Sequence, residues 1–182
     1  MATLTPTGRP IPVTDFRDPT TRTLLANDGT TTVLLEAVLR AVIRVEVGEQ
    51  FIAEVGDLEP DLRIGLELPA ATAVLVRSSV LRTAEHTPVS ANRAIIVADP
   101  GNPVLSMCSD RHRPLGMTLL SALVAHRRRV LSTGHYEWLL DGSARTAAGK
   151  RYLIIIGERP AAHLTEIYSP DLFSARLQCA VR

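Results

Sequence analysis

The chain has few of the residues on which several classes of protein depend. It contains only two cysteines, Cys108 and Cys179, which lie far apart and predict free thiols rather than a disulfide framework. No run approaches the roughly 18 apolar residues of a spanning helix, and the N-terminus lacks the apolar core of a signal peptide. These absences predict a soluble, cytoplasmic protein without membrane contact.

Charge of either sign is not in excess. The chain carries 20 basic and 19 acidic residues, a net charge of +1, so no strong field attracts nucleic acid or anionic lipid. All the basic residues are arginines except Lys150. The triplet at 127–129 (RRR) is typical of a basic patch, but the chain has only three Phe, three Tyr and one Trp, and no aromatic platform accompanies the triplet. We interpret the triplet as the solvated end of a helix and predict no nucleic-acid partner.

Patterns for metal and cofactor binding are also missing. The five histidines include no pair at zinc-helix spacing, and Cys108 with His112 is a single i, i+4 pair without further ligands. The sequence shows no glycine-rich phosphate loop and no nucleophile elbow. We therefore predict no metal and no cofactor.

The length of 182 residues fits one domain. Residues 1–19 carry four prolines and predict a flexible arm, so the folded domain is expected over 20–182. The periodicity predicts a helix broken at 27–29, a hairpin over 43–55 turning at 48–50, a second helix from Pro114, a loop over 139–150, and further strands at 71–83, 89–98, 129–138, 151–157 and 161–168. Short turns between these strands favour an α+β fold, with a single antiparallel sheet of about six strands and helices packed against it.

Three charged residues fall on the apolar faces of predicted strands. Glu166 alternates with Leu164 and Tyr168, and Arg77 and Arg93 are placed in the same way among aliphatic residues. An isolated buried charge costs several kcal/mol, so each residue needs a partner. Two arginines and one carboxylate leave one positive charge over, which predicts an acidic ligand. The alternative is structural, because inward charges also protect edge strands and arginine stems can reach along apolar surface to water.

Several segments match a known family in order and spacing. The segments LVRSSVL, SANRAIIV, RPLGMTLL, KRYLII and LTEIYSP follow one another between residues 22 and 173. In this order the chain resembles the chorismate pyruvate-lyase family. The resemblance implies a single antiparallel sheet with an internal site closed by flaps. It also implies cofactor-free conversion of chorismate to 4-hydroxybenzoate and pyruvate, an elimination in aromatic biosynthesis that is driven by aromatisation.

The resemblance assigns roles by position. It implies that Glu166 and Arg77 are catalytic, and that substrate is bound by Arg77, Arg93, Leu115, Gly116 and Thr30. Thr30 stands where relatives often carry methionine, which implies a more polar pocket and leaves the substrate in question. Whether Glu166 transfers a proton or only positions the ring hydroxyl stays open.

Three functions are compatible with these residues. The first is a chorismate lyase, with chorismate and 4-hydroxybenzoate as small-molecule partners. The second is a non-catalytic binding module for an aromatic acid, and the third is an enzyme of the same fold acting on another acidic metabolite. Related sheets serve as sensing domains of bacterial repressors, but no DNA-binding segment precedes this one, so the sequence favours the enzyme. Monomer and dimer both stay possible.

Overall fold

The computed structural model describes residues 4, 6–63, 65–140 and 142–178. The helices are α1 (Pro19–Ala26), α2 (Thr31–Leu39), α3 (Pro60–Arg63), α4 (Pro103–Met107) and α5 (Leu115–Ser121), with 3-10 turns at Val13–Asp15 and Val55–Asp57. The strands are β1 (Ile43–Glu54), β2 (Ala73–Thr83), β3 (Pro88–Val97), β4 (Arg127–Trp138), β5 (Arg145–Ile156) and β6 (Arg159–Tyr168). Cys108 is a free, buried thiol, whereas Cys179 lies outside the described residues.

The six strands form one antiparallel sheet in the order β1-β2-β3-β6-β5-β4. The predicted α+β class with a single sheet of about six strands is confirmed. The turns of the β2–β3 and β5–β6 hairpins lie close to the positions that were predicted from Gly, Pro and short polar loops.

The predicted hairpin over 43–55 is wrong. β1 is one continuous strand, in which Val47 pairs with Ser79 and Gln50 with Arg77. Three steps along β1 therefore face two steps along β2, so the strand carries one extra residue as a bulge. The sequence around Gly48 is typical of a turn, but these residues bend a strand that pairs with β2 both before and after the bulge.

The start of β5 corrects a second prediction. The segment over 139–150 was expected to be a loop because it is rich in Gly, Ser and Ala, yet β5 begins at Arg145. Its small residues lie in the buried interior of the sheet, where a Cβ on Gly149 would come within 2.7 Å of Tyr136, Ile167 and the Glu166 carbonyl oxygen. Close packing rather than turn formation accounts for the small residues here.

The two faces of the sheet are covered by different segments. The first face packs against α1, α2, α4 and α5 through two apolar clusters, one around Leu119 and Ile96 and the other around Leu25 and Leu81. The second face is covered over part of its area by Val55, Leu58, Leu62, Leu66 and Leu68. The two clusters of the first face are separated by polar side chains, and this gap positions the candidate site.

Residues 6–17 lie within the segment that was predicted to be a flexible arm. Pro6 forms a bridge with Tyr136, the Ile11 amide donates to the Thr133 carbonyl at 2.8 Å, and Phe16 is buried. These contacts cover part of the outer edge of β4 and argue for including the segment in the folded domain. The boundary at residue 19 stays a prediction.

In the described part of the chain, no helix has the length and apolar character needed to cross a bilayer.

Candidate functional site

A small cavity lies on the first face of the sheet, between the two apolar clusters. Its floor is formed by residues that lie side by side on four neighbouring strands. Arg77 pairs with Ala94, Ala94 with Leu164, and Leu164 with Tyr152. The start of α2 and the segment before α5 cover it. The cavity is about 50 Å³ in volume and is lined by Thr31, Thr32, Val45, Arg77, Ser79, Leu81, Asn92, Ala94, Pro114, Leu115, Gly116, Arg128, Tyr152, Ile154, Leu164 and Glu166.

Arg77 is a buried cation with weak partners. Its side chain is 3% exposed, and its guanidinium lies 3.4 to 3.5 Å from the carbonyl oxygens of Cys108, Asp110 and Arg113. Good N–H···O bonds are about 2.7 to 3.2 Å long. No described carboxylate lies within 4.0 Å of Arg77, so its charge is not neutralised by the described part of the protein.

Glu166 has several close partners. It is 6% exposed and accepts hydrogen bonds from the Thr31 hydroxyl at 3.0 Å, the Tyr168 hydroxyl at 3.0 Å and the Tyr152 hydroxyl at 2.9 Å. Burial, followed by the Glu166 charge, raises the pKa of both tyrosines well above the usual value of 10.0. Both phenols therefore stay protonated as donors, and each carboxylate oxygen already has a partner.

Lys150 is the ionic partner of Glu166. Its Nζ lies 3.8 Å from the Glu166 carboxylate and donates to the carbonyls of Leu24 at 2.8 Å and Asn27 at 2.7 Å. The side chain is fully buried, and burial lowers its pKa while the Glu166 charge opposes that shift. Lys150 thus ties the end of α1 and the segment after it to the centre of the sheet.

Arg128 lines the opposite side of the cavity. It is the second residue of β4 and pairs with Ile154, so the predicted helix end at 127–129 is wrong. Its guanidinium lies 5.4 Å from the centre of the Tyr152 ring, a cation–π contact, and donates to the Gly29 carbonyl. The sequence did not identify Arg128 as a residue of the cavity, because three consecutive arginines do not show which one faces inward.

The segments predicted to cover the site are brought together. Leu115 and Gly116 line the cavity at the start of α5. Thr30 occupies the N-cap position of α2 without a side-chain capping hydrogen bond and lies beside them, although it does not itself line the cavity. A Cβ on Gly116 would lie 3.1 Å from the Thr30 methyl carbon. A larger residue than glycine at 116 would therefore require the Thr30 and Arg128 side chains to move by a few tenths of an ångström.

Arg93 does not reach the cavity. It pairs with Ser78 and Thr165, whereas Arg77 pairs with the next residue of β3, Ala94. Because successive side chains of a strand point to opposite faces, Arg93 lies on the second face of the sheet. This corrects the expectation that Arg93 and Arg77 contact one ligand.

The volume of the cavity limits what it holds in this conformation. Sites for small molecules usually occupy about 300 to 1,000 Å³, whereas about 50 Å³ accommodates only a few waters. Any larger ligand requires the covering segments at 27–32 and 109–116 to move. Among the described residues, no group of three or more His, Cys, Asp or Glu side chains could hold a metal ion.

Comparison with known proteins identifies the fold. No family model matches the chain, and no curated protein matches it in sequence. The effector domain of PhnF from Mycobacterium smegmatis matches with a TM-score of 0.64 at 16% identity, covering 81% of this chain and 92% of that one. The C-terminal domain of the histidine utilization repressor from Pseudomonas syringae pv. tomato str. DC3000 gives 0.51 at 14% identity, covering 77% and 99%. A GntR-family transcriptional regulator from Enterococcus faecalis V583 gives 0.51 at 11% identity, covering 76% and 99%.

These neighbours confirm the chorismate lyase-like fold and correct the predicted activity. They are an effector domain, a domain of a repressor and a transcriptional regulator, so the prediction of a lyase that converts chorismate is wrong. They do not support the prediction that the protein has no nucleic-acid partner. The absence of a cofactor, the cytoplasmic location and the choice between monomer and dimer stay predictions.

Proposed function

We propose that this domain is a non-catalytic module that binds an acidic small molecule in the cavity between Arg77 and Glu166. The observation that carries the proposal is the buried Arg77 guanidinium, which contacts the Cys108 thiol and distant carbonyl oxygens but no carboxylate among the described residues. A buried cation without a counter-charge is costly, and a carboxylate or phosphate offers a planar guanidinium two charge-assisted hydrogen bonds. An anionic ligand would supply the missing charge.

The state of Glu166 supports binding rather than chemistry. A catalytic base needs a free oxygen within hydrogen-bond reach of the proton that it removes. In this cavity three hydroxyls and Lys150 surround the Glu166 carboxylate. The carboxylate therefore holds α2 against β5 and β6, a structural task next to the ligand.

The covering segments suggest how binding is sensed. The carbonyls that contact Arg77 belong to residues 108–113, directly before α5. A ligand anion forms stronger bonds to Arg77 than a neutral carbonyl at 3.5 Å does. In this proposal the ligand displaces these carbonyls, and the shift of residues 108–116 reports that the site is occupied.

The first test replaces Arg77 by glutamine. The loss of charge-assisted hydrogen bonds, about 1.5 to 3 kcal/mol, should weaken binding of an acidic ligand by about ten- to a hundredfold. The ligand-free variant should melt at the same temperature as the wild type or higher, because the substitution removes an unneutralised buried charge. We would measure melting temperatures with and without 4-hydroxybenzoate, 4-methylbenzoate and terephthalate, and affinities by calorimetry.

The matched control is Arg93→Gln, on the second face, which should keep the affinity of the wild type. The proposal fails if none of the three acids binds the wild-type protein, or if Arg77→Gln binds them as tightly as the wild type does. A lower melting temperature with unchanged affinity in the folded fraction would identify Arg77 as a purely structural residue.

A further inference from the structure

The cavity has a guanidinium on each side of an apolar floor. Arg77 projects from β2 and Arg128 from β4, and both line the same cavity. Three strands, β3, β6 and β5, separate β2 from β4, so the two backbones are about 19 Å apart at the usual strand spacing. Between the two arginines the floor includes Ala94, Leu164 and Ile154.

The ionisable groups at the cavity do not balance. Lys150 and Glu166 form an ion pair and neutralise each other. In the described part of the chain neither Arg77 nor Arg128 has a carboxylate within 4.0 Å. The Nε of Arg128 is buried and has no hydrogen-bond partner among the residues that the structure describes. The nearby Asp28 acts on the Lys150 charge. Two guanidinium groups without a contacting carboxylate thus remain among the described residues, one on either side of the floor.

We propose that the ligand carries two acid groups at opposite ends of an apolar body, one bound by Arg77 and the other by Arg128. This inference rests on the proposed function and specifies its ligand class. A body without polar groups suits the aliphatic floor and the Tyr152 ring, which is buried under the Arg128 guanidinium. The two acid groups together would neutralise both unpaired charges.

Arg128 also connects the ligand to a covering segment. Its guanidinium now donates to the Gly29 carbonyl, in the segment between α1 and α2. An acid group at Arg128 competes with that carbonyl in the same way that the other acid group competes with the carbonyls near Arg77. A ligand with two acid groups would therefore act on both covering segments, and a ligand with one acid group on only one.

The experiment compares acids that differ by a single charge. Terephthalate and 4-methylbenzoate have the same ring, with a carboxylate replaced by a methyl group, and suberate and octanoate form a flexible pair that adapts to other separations. We expect the wild-type protein to bind at least one diacid about tenfold or more tightly than its matched monoacid. Arg128→Gln should reduce this preference to less than about threefold.

The control is Arg129→Gln, which removes the same charge from the next position of β4. Arg129 is exposed and lies outside the cavity, so this variant should keep the preference for diacids. The inference is overturned if neither diacid exceeds its monoacid in the wild type, or if Arg128→Gln retains the preference. In those cases the proposed function still stands when the monoacids bind and Arg77→Gln weakens them. If neither these four acids nor 4-hydroxybenzoate binds, both proposals fail.

Discussion

Replacing Lys150 by methionine is expected to lower the free energy of unfolding by about 3 kcal/mol, which is the low end for breaking a buried ion pair. Methionine keeps most of the buried stem but removes the ammonium group. The carbonyls of Leu24 and Asn27 lose their donor, and Glu166 loses the only cation within 4.0 Å of it in the described part of the chain. Urea unfolding at pH 7 measures the effect.

A double variant separates the ion pair from the carbonyl bonds. Adding Glu166→Gln to Lys150→Met should cost less than the sum of the two single substitutions, because the remaining charge is removed as well. The control is Arg82→Met, which breaks the more exposed ion pair with Glu46 and should cost about 1 kcal/mol or less. If Lys150→Met costs no more than this control, Lys150 does not hold α1 and the following segment to the sheet.

His163 should make the protein sensitive to acid. It is 0% exposed on the second face, and neither ring nitrogen has a hydrogen-bond partner among the described residues. Burial, assisted by the nearby Arg151 charge, lowers its pKa from 6.5 to about 4. Below pH 6.5 the unfolded chain binds a proton that the folded protein does not. Stability should therefore fall as the pH drops from about 6.5 to about 4, by about 3 kcal/mol in all.

The variant His163→Leu removes this source of acid sensitivity. Carboxylates such as Asp171, whose pKa is lowered by Arg145, titrate in both proteins and cancel in the comparison. The stability difference between variant and wild type should therefore shift in favour of the variant by about 2 to 3 kcal/mol between pH 7 and pH 4.5. The control is His112→Leu, which removes an exposed imidazole instead of a buried one. Parallel curves for His163→Leu and the wild type would exclude His163 as the cause.

Much of the fold follows from residue alternation, because it is a local property. Strands β2, β3 and β6 alternate clearly, and the short turns between neighbouring strands favour antiparallel pairing. The start of β5 could not be recognised in this way. Its alanines and Gly149 have weak strand preference, and only their packing between β4 and β6 explains them.

The site was predicted in part, and the division has a physical cause. Alternation identified Arg77 and Glu166 as charged residues on an apolar face, and the structure places both at one cavity. Alternation could not show which face of one strand lies beside which face of another strand, because that depends on the register between them. Arg93 was therefore grouped with Arg77, although Ala94 is the residue beside it. The actual partner of Glu166, Lys150, lies in a segment that was expected to be a loop.

The predicted activity depended on resemblance alone. Arg77 and Glu166 suit a lyase and a binding domain equally well, since both bind an acidic molecule in a closed site. The difference lies in whether Glu166 is free to act. That depends on Thr31, Tyr152 and Tyr168, whose hydroxyls converge on the carboxylate only in the folded chain.

The measurement that tests the acid-binding site most directly is a nitrogen–proton correlation spectrum of the arginine Nε–H groups. Spectra would be recorded before and after addition of terephthalate and, separately, of 4-methylbenzoate. Signals of Arg77 and Arg93 are assigned from their loss in Arg77→Gln and Arg93→Gln. We predict that the Arg77 signal moves with increasing acid concentration while the Arg93 signal stays in place. A shift of Arg93 without Arg77, or no shift of Arg77 with either acid, would contradict a site for acidic ligands on the first face of the sheet.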